Sequence, residues 1–120
     1  MMLTLDKVLD IFKALQDRTR FRIFWILHRA KCAMCVCELE AVLKESQYNI
    51  SRHLKVLKLT GLVKERKQGK FVYYAISKLD NKAYRCLLDM VSAISDNKLK
   101  KDAQALFCYL KQLKIMGGNK

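Results

Sequence analysis

The sequence predicts a mainly α fold with one β-hairpin: a winged helix-turn-helix with N- and C-terminal dimerisation helices. Three observations predict it. Two short helical segments, one from about Val36 and one following Ser46, are joined by about three residues. A basic hairpin pattern with a glycine at its tip follows directly. Apolar residues recur at helical spacing on both sides of this unit.

Leu5, Val8, Leu9, Phe12 and Leu15 carry the helical period from Thr4 to Gln16. Asp17 is a good N-cap for a second amphipathic helix bearing Phe21, Phe24, Trp25 and Leu27. A third helix begins near Cys32-Ala-Met-Cys35-Val-Cys37, places Val36, Leu39 and Leu43 on one face, and ends between Lys44 and Ser46. Ser46 then caps a fourth helix that runs to about Thr60, and Gly61 suits its C-terminus. On that helix Ile50, Leu54 and Leu57 share one side, while Tyr48, Ser51, Arg52 and Lys55 fall on the other.

Leu62 to Arg66 and Phe71 to Ile76 read as strands, with Lys67-Gln68-Gly69-Lys70 as the turn between them. Asp80 can cap a helix bearing Ala83, Leu87, Met90, Val91 and Ile94. A last helix starts near Lys98. Its Leu99, Ala103, Leu106, Leu110 and Leu113 are spaced as the seam of a helix that lies along another helix. The layout is one domain over 1–120, with the helix-turn-helix at about 36–60, the wing at about 62–76 and C-terminal helices at about 80–115. Proline is absent, and Gly117-Gly118 is the one glycine-rich stretch, so no internal linker divides the chain.

With 120 residues the chain can build one core, enlarged by dimerisation. Its net charge of +13 is concentrated. Between Ser46 and Tyr74, Arg52, Lys55, Lys58, Lys64, Arg66, Lys67 and Lys70 face the single acid Glu65, a distribution that points to a polyanion partner. The longest apolar run, Ile23 to Leu27, is far short of the ~20 residues a membrane span needs. No signal peptide is visible, so the expected location is cytoplasmic, with no membrane partner. A reducing compartment keeps the five cysteines as thiols. Two histidines, His28 and His53, have no general-base constellation and no phosphate-binding glycine loop accompanies them, so an enzyme is not expected, nor an organic cofactor.

A helix that enters the ~12 Å major groove beside a basic loop is a DNA reader. Gln47, Tyr48, Asn49 and Ser51 offer donors and acceptors to base edges, while Arg52, Lys55, Lys67 and Lys70 suit phosphates. The structural alternative is that Ser46 is only a cap, Asn49 and Ser51 are merely solvated, and His53 is a satisfied histidine at the edge of the core.

The run from Ser46 to Leu57, followed by Gly61-Leu62-Val63, Arg66-Lys67-Gln68-Gly69-Lys70 and Tyr73-Tyr74, closely resembles the arsenical-resistance repressor (ArsR/SmtB) family of winged-helix regulators. Ala14 to Arg20 resembles that family's segment between its first two helices, with Arg18 where proline is usual. The resemblance covers about residues 8 to 77. It implies a homodimeric repressor that leaves operator DNA when an inducer binds, and the two-fold symmetry of such a dimer predicts a nearly palindromic operator. It places Gln47, Ser51 and His53 at DNA-contacting positions, with Tyr48 in place of a common proline; Ser46, Arg66 and Gln68 complete the candidate DNA-binding set.

Three thiols within six residues precede this unit. Thiolates prefer soft ions, and a helix N-terminus depresses a thiol pKa, with Lys31 assisting and Glu38 and Glu40 opposing. Cys32 and Cys35 can share a helix face, but Cys35 and Cys37 diverge by about 200° in a regular helix. All three therefore meet on one ion only where the backbone is irregular. In the resemblance, Cys35-Val36-Cys37-Glu38-Leu39 matches the family's arsenic- and antimony-sensing motif, which commonly reads Cys-Val-Cys-Asp-Leu-Cys. Glu40 stands where the last cysteine is expected, so Cys32 is the candidate third ligand and As(III) or Sb(III) the candidate inducer. Cys86 and Cys108 are expected as small buried hydrophobes.

Two other readings remain open. The same fold can use its cysteines as a redox or persulfide sensor, or as a cadmium or lead sensor with Cys86 or Cys108 joining; zinc lacks the fourth thiolate and the C-terminal histidines. A protein-interaction module without DNA function would instead bind its partner without salt dependence.

Overall fold

In the computed structural model, which describes residues 3–115, six helices and three short strands follow one another. Helix α1 (Leu5–Leu15) is capped by Thr4, whose hydroxyl accepts from the Lys7 amide. Helix α2 (Arg18–Ala30) is capped by the Asp17 carboxylate, which accepts from the Arg20 amide at 3.0 Å. The expected amphipathic character of α2 is not what is found. Arg22 to Leu27 are all buried, because α1, the helix-turn-helix, the hairpin and both C-terminal helices pack around it. This central helix is the core of the domain.

Strand β1 (Met34–Cys35) leads directly into α3 (Val36–Leu43), and α4 (Gln47–Leu59) follows a turn in which Lys44 takes a left-handed conformation. Ile50, Leu54 and Leu57 turn the inner face of α4 fully into the core. Its end is a Schellman motif: Leu62 N–H donates to the Leu57 carbonyl and Gly61 N–H to Lys58, with Gly61 at φ +85°. Leu57 and Leu62, both buried, supply the accompanying apolar contact.

The wing is β2 (Val63–Gln68) paired antiparallel with β3 (Phe71–Ile76), from Val63↔Ile76 to Gln68↔Phe71. Lys67 and Gln68, expected in the turn, belong to the strand. The loop is the two residues Gly69 and Lys70, with positive φ at Gly69 alone, as a type II′ hairpin turn requires. Strand β1 was not foreseen. It pairs Met34↔Tyr74 and Cys35↔Tyr73, so the sheet order is β1-β3-β2. Two residues are too few to show an alternating pattern.

Helix α5 (Lys82–Ala93) is capped by Asn81, not Asp80: the Asn81 side chain accepts from the Tyr84 amide, while Asp80 pairs with Arg85 at 3.0 Å. Met90 and Ile94, expected to pack, are exposed. Helix α6 (Asn97–Ile115) is started by Asp96, whose carboxylate accepts from the Lys98 and Leu99 amides. Leu99 and Leu106 are buried against α2 and α3, whereas Leu110 is exposed, so the heptad seam serves this chain's own core over its first half only. Gly117-Gly118 lies outside the described residues.

Candidate thiol site and nucleic-acid face

The turn before α4 sets its open end toward solvent. Ser46 Oγ accepts from the Asn49 amide at 3.1 Å, so Ser46 is a cap as well as a member of the candidate face. Gln47, Tyr48, Ser51, Arg52 and Lys55 are exposed and Asn49 is half-buried. Arg66, Lys67, Gln68 and Lys70 are exposed along the wing. Glu65, the one acid of this region, is paired with Lys58 at 3.2 Å, so it takes little from the basic field of the neighbours.

His53 is not on that face. It is on the buried side of α4, with Nδ1 3.3 Å from the Arg20 guanidinium and Nε2 3.9 Å from Asp17. Burial holds its pKa below the usual histidine value, and the neutral ring accepts at Nδ1 from Arg20. Asp17, bonded to the Arg20 amide, is held below the usual carboxylate range.

The thiols divide into two groups. Cys35 is the N-cap of α3 with extended backbone (φ −88°, ψ 169°), and Cys37 lies in the first turn. Their sulfurs are 3.0 Å apart. The divergence expected of a regular helix does not arise, because Cys35 stands outside the helix. Cys32 lies in the turn after α2, next to Lys31 in a left-handed conformation. It is exposed and lines a cavity of ≈ 810 Å³ with His28, Arg66 and Arg85. Among the described residues no three Cys, His, Asp or Glu side chains are gathered to hold a metal ion, so the three-thiol set is not assembled.

At Cys35 and Cys32 the expected depression of the thiol pKa is also overturned. Burial, then the hydrogen bond with Cys37, pushes Cys35 up to about 11, while partial desolvation by the surrounding protein, then the Glu38 charge, raises Cys32 although its surface is exposed. Desolvation beside a carboxylate outweighs the helix dipole here. Cys86 and Cys108, expected inside, are both exposed.

Two networks around these sites were not read from the sequence. Glu38 Oε1 accepts from the Cys35 amide at 3.0 Å, and Oε2 accepts from the Tyr109 hydroxyl of α6 at 2.8 Å. The first half carries a sequence signal, since Glu three residues after an N-cap is the capping-box spacing with Cys in the place of Ser. The second contact spans 71 residues and has none. Buried Arg22 donates twice to Asp102 of α6 (2.8 and 3.0 Å), once to the Leu43 carbonyl at 2.9 Å and once to Glu45 at 3.2 Å. A charge inside the run Phe21-Arg22-Ile23-Phe24-Trp25 was the available clue, because a buried guanidinium needs acceptors.

Among the described residues no helix is long and apolar enough to cross a membrane. Residues 17–65 match the family model described as bacterial regulatory protein, arsR family. The chain is 38% identical over 102 residues to the arsenical resistance operon repressor of Escherichia coli (strain K12), covering 78% of this chain and 86% of that one. It is 41% identical over 69 residues to a cadmium resistance transcriptional regulatory protein CadC homolog of Staphylococcus aureus, covering 58% and 56%. Among solved structures, HlyU from Vibrio cholerae N16961 superposes with a TM-score of 0.63 at 31% identity, covering 78% of this chain and all of that one. The buried inner face of α4, the basic wing and these matches together establish that the chain belongs to the arsR family of bacterial regulatory proteins, as a winged-helix, DNA-binding transcriptional repressor and not an enzyme.

Proposed function

We propose that this repressor acts as a cytoplasmic homodimer on a near-palindromic operator and is released when As(III) or Sb(III) is held by Cys35, Cys37 and Cys32. The observation that carries the reading is the Cys35–Cys37 sulfur pair, 3.0 Å apart at the start of α3, the helix that packs on α4. Two soft donors are therefore in place and the third is close in sequence. For Cys32 to join, the Lys31 to Met34 turn must move toward α3, at the expense of the two-residue pairing of β1 with β3. That movement pulls on the N-terminus of α3 and tilts α4. A coupling of about 1–3 kcal/mol per linked site would weaken operator binding about 5- to 150-fold.

On the DNA side, Gln47, Tyr48, Asn49 and Ser51 read base edges from the exposed N-terminal half of α4. Ser46, Arg52, Lys55, Arg66, Lys67, Gln68 and Lys70 position the phosphates. His53, being buried, is left out of this set. The single domain described above is the dimerising unit. Leu5, Leu9 and Phe12 form an exposed apolar stripe on α1 at 72%, 52% and 56% exposure, and Phe107 and Leu110 do the same on α6, which supports terminal helices as the interface.

The test is operator-binding anisotropy of the reduced protein titrated with arsenite and antimonite, with cadmium, lead, zinc and a persulfide donor alongside. Release by arsenite or antimonite, lost in Cys35→Ser and Cys37→Ser with operator affinity intact, is the expected result. Release by cadmium or lead alone would establish the second reading, which the exposed Cys86 and Cys108 and the similarity to the CadC homolog favour. Release by the persulfide donor alone would make the pair a redox switch, and a response to none would end the sensor reading.

A further inference from the structure

The thiol pair is connected to α6 through one side chain, Glu38. Cys35 and Cys37 touch because Cys35 keeps the extended backbone of an N-cap. Glu38 Oε1 secures that conformation by accepting from the Cys35 amide at 3.0 Å. Its other oxygen accepts from the Tyr109 hydroxyl at 2.8 Å. One partly buried carboxylate therefore bridges the thiol pair and α6.

We propose that Tyr109, acting through Glu38, is a positioning residue that holds Cys35 and Cys37 as a ready-made chelate for a trivalent thiophilic centre, so that docking of α6 and ligation of the pair are reciprocally linked. The proposal rests on the reading above only in taking the pair as the ligand site; it needs neither operator DNA nor Cys32. Chelation requires both sulfurs on one atom, and a preformed contact removes the ordering cost that a free N-cap would carry. A hydroxyl bound to a carboxylate is a strong tether. Without it Glu38 can swing to water and Cys35 loses the partner of its amide. By linkage, whatever factor docked α6 adds to ligand affinity, the ligand returns to the docking of α6. Asp102 anchors α6 independently through Arg22, so loss of the Tyr109 hydroxyl leaves the helix attached.

The probe is phenylarsine oxide, hydrated to a phenylarsenic dihydroxide, in a Cys86→Ser/Cys108→Ser background. Each As–S bond forms as a thiol proton and an arsenic-bound hydroxyl leave as water, with no change in oxidation state. Because carbon fills the third valence, two thiols suffice. Binding should be 1:1, abolished by Cys35→Ser or Cys37→Ser, and retained within about twofold in Cys32→Ser, a factor small beside one lost hydrogen bond. Tyr109→Phe should weaken it about 5- to 20-fold, the range of one lost hydrogen bond. Glu38→Gln, which keeps an acceptor for the Cys35 amide, should lose less.

A purely structural Tyr109 would not move the second readout. In the background protein, probe binding should slow amide exchange around Tyr109 in α6, and Tyr109→Phe should remove that slowing. Equal affinity in Tyr109→Phe, or α6 exchange that stays constant or quickens on binding, overturns the linkage. If Tyr109→Phe does not fold, the exchange measurement on the background protein decides alone. Failure of the pair to bind the probe at all overturns this proposal and its ligand site together, whereas binding and linkage without operator release leaves the linkage standing and refutes only the inducer reading.

Discussion

The N-termini of α3 and α4 are the same structural feature put to opposite uses. At α4, Ser46 caps the helix from its own hydroxyl and the residues beyond it, Gln47, Tyr48 and Ser51, face solvent. At α3, the N-cap is a buried cysteine whose amide is satisfied by Glu38, itself tied to α6. The first end exposes the partial positive charge of its amides to whatever polyanion approaches. The second is enclosed by the rest of the domain, and Cys35 there is pushed up to about 11 instead of being activated. A helix N-terminus thus favours an anion only as far as burial allows.

Arg22 lies beneath the turn that joins the two helices, holding the Leu43 carbonyl at the close of α3, Glu45 in the turn and Asp102 on α6. Removing its buried partner should therefore disturb the comparison most. Asp102→Ala leaves a buried guanidinium with its bidentate partner gone, and about 3–5 kcal/mol of unfolding free energy should be lost. Urea denaturation measures it, with Asp102→Asn intermediate. If Asp102→Ala cost under about 1 kcal/mol, in the range of an exposed pair, α6 would not be braced to the turn through this contact.

The open end should be sensitive to salt where the enclosed end is not. If the proposed dimer uses both lysines on phosphates, Lys67→Ala/Lys70→Ala removes four contacts, so the slope of log affinity against log salt should become shallower by about 3.6, with about a hundredfold loss of affinity near physiological salt. Cys35→Ser should leave that slope unchanged. A slope unaltered by the wing substitutions would mean that the wing does not touch the backbone.

How far the sequence carries differs between the two ends for a physical reason. Ser46, the inner face of α4 and the glycine-tipped wing obey local rules of capping, period and turn chemistry, and each is where those rules put it. The α3 end depends on contacts that local rules cannot see. Cys35 escapes the helical geometry because a two-residue strand pairs it with Tyr73, and Glu38 finds Tyr109 at a sequence separation of 71 residues. His53 follows the same division: its spacing puts it beside the apolar face, but its burial is decided by Arg20 and Asp17 at the start of α2.

The two caps should also differ on substitution. Ser46→Ala removes the acceptor for the Asn49 amide, and about 1 kcal/mol of stability should go with it. Cys35→Ser puts a better cap at a position whose own amide still donates to Glu38, so its stability should change by less than about half that amount. Thermal melts of the two variants, side by side, measure the difference. A Cys35→Ser loss as large as that of Ser46→Ala would show that the sulfur packing, and not the Glu38 tether, supports the start of α3.

The smallest effect concerns the underside of the open end. Burial holds His53 below its unfolded value of about 6.5, so the unfolded chain takes up a proton at that site before the folded one does. The sign follows from linkage: where the unfolded state binds more protons, stability rises with pH. The contribution of neutral His53 is therefore fully present above about pH 6.5 and is lost as the pH falls through the depressed folded value. The Asp17 carboxylate 3.9 Å away opposes the shift, while Arg52 and Arg20 reinforce it. Asp17, itself held low, loses its own contribution only at more acid pH, so the two are separable by titration. His53→Gln keeps an acceptor for the Arg20 guanidinium but cannot titrate, and urea midpoints measured between pH 7 and pH 5 should be flatter for it than for the parent. An equal slope in both proteins would mean that α4 is not held down through a neutral His53.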